Sequence, residues 1–228
     1  MDYNQEGYCR AFCCMLPVEW TNELIKKAQI YAQDWLKRVA DIVSEMEGIE
    51  STEQAFSKLT KAAVDFIGDA NAADRQGALK EGEVDYRVSG IFLISPDRIY
   101  NVLVANQGFP PEQRRLSIPI TWNNPGQVVA DERFILLENT DEHREFRQFL
   151  KTSKMGSSLY VPIFSEGKMI GQIVAASQAR WTYSRADLAP MLALSGLAAL
   201  AWGMTRGDAW WSTDYPAADA WYAEEQEL

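Results

Sequence analysis

Three thiols, Cys9, Cys13 and Cys14, are the most reactive groups in this chain, and all lie in its first fourteen residues. Thiolates bind metals, exchange disulfides and attack electrophiles. On a short arm these three lack both a fourth ligand and the CxxC spacing of a zinc site, and an odd, crowded number is not a disulfide framework. The rest of the chain has no cysteine. His143, the only histidine, follows Asp141-Glu142. A general base needs a nucleophile within reach and a partner that orients it. Neither is apparent, so His143 reads as a surface or capping residue. Arg144, Arg147, Lys151 and Lys154 follow at steps of 3, 4 and 3, which puts four cations on one helix face opposite Phe146, Phe149 and Leu150. Such a face can bind an anion, but more often it is simply solvated. No catalytic or metal-binding set emerges, and the expectation is a protein that is not a conventional enzyme.

The bulk composition points the same way. A chain of 228 residues, 47% hydrophobic, can bury one substantial core. Its net charge of −10 repels phosphate backbones, so nucleic acid is not an expected partner. The longest apolar run, Leu188 to Trp202, is shorter than the roughly 18 residues that span a bilayer, so a membrane is not expected either. The N-terminus is acidic where a signal peptide is basic, and a cytoplasmic location is expected.

Periodicity supplies the elements that would hold a site. Residues 1–18 show no period and read as a flexible arm. Residues 19–50 read as a helix with its stop at Gly48. Leu24, Ala28, Tyr31, Trp35, Val39, Ile42 and Met46 keep one stripe by an eleven-residue repeat, suited to a partner helix or to the chain's own domain. A domain follows over 51–204. Ser51 and Gln54 open its first helix, whose inward face is Ala55, Phe56, Leu59, Ala63, Phe66 and Ile67. Residues 68–83 read as a polar loop. Val88–Ile94 and Arg98–Ala105 form a hairpin around Ser95-Pro96-Asp97. Leu116–Ile120 and Phe134–Leu137 are shorter strands, and 141–152 reads as an amphipathic helix. A second hairpin joins Ser157–Phe164 to Lys168–Ser177 across Ser165-Glu166-Gly167. Ser184 caps a last helix over about 185–203. Residues 205–228 carry Trp210, Trp211, Trp221, Tyr215 and Tyr222 among acidic residues with no period, and read as an acidic, Trp-rich tail. Such aromatics either dock a protein partner or fold back on the domain.

Local sequence narrows this α+β order. Val161-Pro162, Glu166-Gly167, Ile170-Gly171 and the capped entry Tyr183-Ser184-Arg185-Ala186-Asp187-Leu188 together resemble the signature stretch of GAF domains. Residues 118–139 resemble the segment that crosses the ligand side of such domains, with one departure. The family often has a Gly-rich turn where this chain has Trp122-Asn123-Asn124-Pro125-Gly126. The resemblance implies a GAF-like central antiparallel sheet with flanking helices, to which this chain adds a long N-terminal helix and an aromatic acidic tail. It also implies a cavity on one sheet face, roofed by segments 121–129 and 138–150. Trp122, Asn124, Asn139, Thr140 and Phe146 are the expected ligand-binding residues, with the aromatics as apolar walls and the amides as orienting groups.

The functional expectation is a small-molecule-sensing or regulatory GAF-domain protein for an unidentified small molecule. It would be homodimeric through the helices at 19–47 and 185–203, and would pass its signal to a separate partner. A ligand-free dimerisation and interaction scaffold is the alternative. A third reading is a thiol-based redox or chromophore-binding protein using Cys9, Cys13 and Cys14. The free methionine sulfoxide reductase type of this family needs cysteines within the domain body, and the light-sensing type a cysteine–histidine pair there; this chain has neither. No cofactor is identified.

Overall fold

The computed structural model describes residues 18–143, 154–216 and 220–223. The chain divides into two compact units, residues 1–45 and 46–228. Helix α1 (Val18–Met46) supplies the described part of the first. On it Leu36 and Val43, one heptad apart, are exposed.

The second unit is built on a six-stranded antiparallel sheet in the order β3-β2-β1-β6-β5-β4. Its strands are β1 (Arg87–Ile94), β2 (Tyr100–Gln107), β3 (Ser117–Pro119), β4 (Ile135–Leu137), β5 (Ser157–Ser165) and β6 (Lys168–Ser177). The expected hairpins are β1–β2 and β5–β6. The β5–β6 turn places Glu166 and Gly167 at φ of 50° and 75°, the pair of positive angles a tight hairpin turn needs. The two hairpins meet through β1 and β6, where Gly171 lies opposite Leu93. A Cβ on Gly171 would sit 2.2 Å from the Phe92 carbonyl oxygen, so the Ile170-Gly171 pair is required by the close approach of two central strands.

Nearly every residue of β1, β5 and β6 is buried, so both sheet faces need cover. One face carries helices α2 (Thr52–Phe66) and α4 (Leu188–Met204). Ser51 caps α2 as expected, and Phe56, Leu59 and Ala63 are fully buried. Phe56 stacks on Trp202 at 6.4 Å, the Thr52 and Thr205 hydroxyls pair at 2.6 Å, and Ser195 Oγ donates to the Pro162 carbonyl at 2.6 Å. Each large side chain so buried contributes about 1.5–3 kcal/mol.

Two sequence expectations need correction for α4. With its preceding turn, the helical run Arg185–Met204 has 20 residues of mean hydropathy 1.3, long and apolar enough by composition to cross a membrane, whereas the sequence run alone reads as too short. In the fold 44% of this stretch is buried, against β5 and α2. Leu192, expected to face inward, is 48% exposed. With Leu200 and Met204 it forms an outward apolar stripe.

The opposite face is covered by α3 (Asn123–Asp131), an element hidden in what reads as a turn sequence. Phe92, Ile94, Leu103, Tyr160, Met169 and Val174 form that core with Val128 of α3, and Trp122, Ile120 and Val129 pack against it. Residues 144–153, expected to continue an amphipathic helix with Phe146, Phe149 and Leu150 inward, lie outside the described residues.

The aperiodic C-terminal residues also hold structure. Helix α5 (Gly207–Asp214) starts with Arg206 in the left-handed region. Trp211 Nε1 donates to the Ile94 carbonyl at 2.9 Å, and Asp214 pairs with the buried Arg115 at 2.8 Å. The same guanidinium bonds Glu53 of α2 and the Val104 carbonyl, and lies 5.8 Å from the Trp210 ring. Rings run in sequence from Trp202 through Trp210 and Trp211 to Tyr215 at 5.4–6.5 Å. Trp221–Ala223 then run parallel to β3. Of the two readings of these aromatics, the described residues adopt folding back.

The Ser184 cap offers a test of this architecture. Asp187 Oδ2 accepts from the Ser184 amide at 2.8 Å, and its Oδ1 accepts from the Gly68 amide at 2.9 Å, which ties the start of α4 to the end of α2. Asp187→Ala leaves both donors without an acceptor and is expected to cost about 2 kcal/mol or more in urea denaturation, with Asp187→Asn losing less.

Candidate functional site

The α3 side of the sheet holds a solvent-open cavity of about 660 Å³, within the size range of small-molecule sites. Three short segments make its wall. Arg98 comes from the β1–β2 turn, where Ser95 Oγ accepts the Ile99 and Tyr100 amides and Asp97 carries the Ser95 hydroxyl at 2.6 Å. The Ser95 hydroxyl first, then the Ile99 amide and the Tyr215 hydroxyl, hold the carboxyl of Asp97 below the usual carboxylate range. Ile120 and Thr121 follow β3, fixed by the Ile120 amide on the Ile99 carbonyl at 2.8 Å. Asn123, Asn124, Gly126, Gln127, Val129 and Ala130 come from α3. Asn123 starts that helix at φ 47°, which Asn tolerates better than most residues, and Pro125 in the first turn needs no amide there.

Beneath the first turn of α3 the sheet presents polar groups. Gln172 of β6 and Asn101 of β2 are fully buried. Gln172 Nε2 donates to the Pro125 carbonyl at 3.0 Å and to Asn101 Oδ1 at 3.4 Å. Gln172 Oε1 and Asn101 Nδ2 have no partner among the described residues, so an acceptor and a donor lie unused behind the cavity wall. Tyr160 of β5 is buried beside them. Burial pushes its phenol up, and hydrogen bonds with Ser158 and Asn124 offset part of that.

The five expected ligand residues have different positions. Asn124 lines the cavity. Trp122 is the residue before α3, half-buried against the core beneath it, and does not line the cavity. Asn139 and Thr140 are on another segment: Asn139 Oδ1 accepts the Asp141 amide at 3.1 Å, and the buried Thr140 hydroxyl donates to the Met155 carbonyl at 2.6 Å. Both shape a 3-10 turn over Thr140–Glu142. Phe146 lies outside the described residues. Sequence reasoning passed over Arg98, Thr121, Gln127, Tyr160 and Gln172. Thr121 and Gln127 lie within segment 121–129, expected over the cavity, whereas Arg98, Tyr160 and Gln172 read as strand residues.

That 3-10 turn is held by an ion network. Arg180, 1% exposed, meets Glu83 with both terminal nitrogens, and its Nε donates to Asp141 at 3.0 Å. Lys80 and Lys154 also bind Asp141, at 2.7 and 3.2 Å. Lys154, the one described member of the expected cationic face, is therefore used locally. His143 ends the turn and is exposed, as a surface or capping residue would be. Lys80, then Arg180 and Lys154, hold the Asp141 carboxyl far below the usual range against its desolvation. Desolvation raises Glu83, but its bonds to Arg180 and the Lys80 amide lower it further. Among the described residues no three His, Cys, Asp or Glu side chains group as a metal site.

The GAF domain family model matches residues 52–202. The chain belongs to the GAF domain family. It is similar in fold to the GAF domain of a phosphoenolpyruvate-protein phosphotransferase from Coxiella burnetii, at 19% identity and a TM-score of 0.63, covering 78% of this chain and 98% of that one. The corresponding domain from Acinetobacter matches at 20% identity and 0.59, over 75% and 94%. A free methionine-R-sulfoxide reductase from Neisseria meningitidis, solved with its substrate, matches at 18% and 0.59, over 80% and 93%. At these identities the likeness shows the fold alone, and the fold includes an enzymatic branch. No curated protein matches the sequence.

The ion network sets a pH dependence. Both carboxyls are lowered in the folded state, so their stabilisation is complete above the unfolded value of about 4 and is lost as pH falls through the folded-state values. Asp141→Asn is expected to lower the urea midpoint at pH 7 and to flatten its fall below about pH 4.

Proposed function

We propose that this chain is a regulatory GAF domain that binds a small polar molecule in the cavity beside α3. The observation that carries the reading is the amide-rich wall: Asn123, Asn124, Gln127 and Thr121 beside Arg98, with Ile120 and Val129 as apolar surface. A few polar groups on an apolar lining orient a ligand without chemistry. Tyr160 and the half-satisfied Gln172–Asn101 pair lie behind the same turn, so a ligand that shifts α3 also repacks the sheet core. Binding changes the population of that shifted state only by as much as it favours it.

A reductase-type activity is the reading set aside. Residues 15–228 contain no cysteine, so the domain body offers no thiol for such chemistry. The outward stripe of Leu192, Leu200 and Met204 on α4, and Leu36 and Val43 on α1, support self-association, and a homodimer that signals to a separate protein is part of the proposal. If no ligand exists, those faces favour the scaffold reading instead.

A thermal-shift screen with nucleotides, amino acids, short-chain acids and inorganic anions tests the sensor. A ligand at a hundredfold excess over its Kd adds about 2.7 kcal/mol of apparent stability. The expected result is a saturable shift that Asn124→Ala removes and Leu200→Glu keeps. A flat screen with a dimer that Leu200→Glu dissociates, read by light scattering, would replace the sensor with the scaffold.

A further inference from the structure

The outer edge of β3 is filled by the chain's own C-terminal residues. The Ser117 amide donates to the Trp221 carbonyl at 2.7 Å, the Ala223 amide to the Ser117 carbonyl at 3.0 Å, and the Trp221 amide to the Arg114 carbonyl at 3.3 Å. The pairing is parallel. Side chains alternate as in a strand: Trp221 and Ala223 join the core with Leu116, Ile118 and Leu103, while the Tyr222 ring meets Tyr100 edge-on at 5.2 Å. Main-chain bonds supply affinity and alternate pockets supply selectivity, which is the mode by which extended peptides add to sheet edges. Helix α5 is anchored separately, through Trp211 and Asp214, so this strand can leave without undoing that anchor.

We propose that the β3 edge is an acceptor site for an extended peptide reading aromatic–aromatic–small, occupied in cis by residues 220–223. The occupant's chemistry is set by the segment seated there, Trp221-Tyr222-Ala223. A partner protein that presents such a segment competes with the resident strand for the same bonds. This site is independent of the ligand cavity and needs no bound small molecule.

The test uses the full chain and a fluorescein-labelled synthetic peptide of residues 217–228. Ala223 is 8% exposed, so Ala223→Glu buries a charge in the core and expels the resident strand. Circular dichroism and the thermal midpoint establish that the variant is folded. The peptide is expected to bind Ala223→Glu saturably by anisotropy. It should bind the unsubstituted chain about tenfold or more weakly, because the tethered strand competes at high effective concentration. Tyr100→Ala in the same background should weaken binding, and a peptide carrying Glu in place of Trp221 should not bind. No saturable binding to the folded Ala223→Glu protein would overturn the proposal. So would equal binding by both chains, or by both peptides.

Discussion

One antiparallel sheet whose two faces are both apolar governs this molecule. Sheets of this kind commonly leave one face to water. Here β1, β5 and β6 are buried along almost their whole length, and water must be kept from both sides. Helices α2 and α4 answer the requirement on one face by packing Phe56, Leu59, Leu194 and Trp202. The other face has no long helix among the described residues. It is closed by the nine-residue α3, the segments beside it and the C-terminal strand.

That asymmetry locates function. A face covered by two long helices is filled, and Ser195 on Pro162 and Thr52 on Thr205 add polar fasteners to it. A face covered by short pieces leaves gaps, and the cavity beside α3 is one of them. The unused Gln172 and Asn101 atoms lie beneath the same cover, where strand spacing puts polar groups that α3 only partly satisfies. The C-terminal strand meets a related need at the sheet margin. Without Trp221 and Ala223 the edge of β3 would expose backbone donors and acceptors beside apolar core.

Arg115 and Arg180 close the assembly at points where apolar packing cannot. Each is almost fully buried and each joins segments far apart in sequence: Glu53 with Asp214, and Glu83 with Asp141. A buried guanidinium is tolerated only when its donors are met, and both have carboxylate and carbonyl partners.

The local signals in the sequence determined a good deal by themselves. Period and caps marked α1, α2 and α4, since Ser51 and Ser184 bond amides three or fewer residues away. The Glu166-Gly167 and Ser184–Asp187 parts of the GAF-like stretch are short-range, a tight turn and a helix cap, whereas Gly171 answers to the close approach of Phe92 on a strand remote in sequence. Asn124, which lines the cavity, was expected there only through the resemblance, which places segment 121–129 over the ligand side. What only the tertiary structure decided depends on contacts between distant segments. Trp122-Asn123-Asn124-Pro125-Gly126 reads as a turn, and becomes the entry to a helix because Val128 has a core to enter. Asn139 and Thr140 look like ligand groups, yet their partners are the neighbouring Asp141 amide and the carbonyl of Met155 across a loop. Trp221 and Ala223 show no helical period because the sheet edge dictates where they are buried, and the two-turn α5 is too short to set a period around Trp211, which is fixed by the Ile94 carbonyl. Periodicity records an element's own geometry, whereas pairing with a remote strand leaves no regular spacing to read.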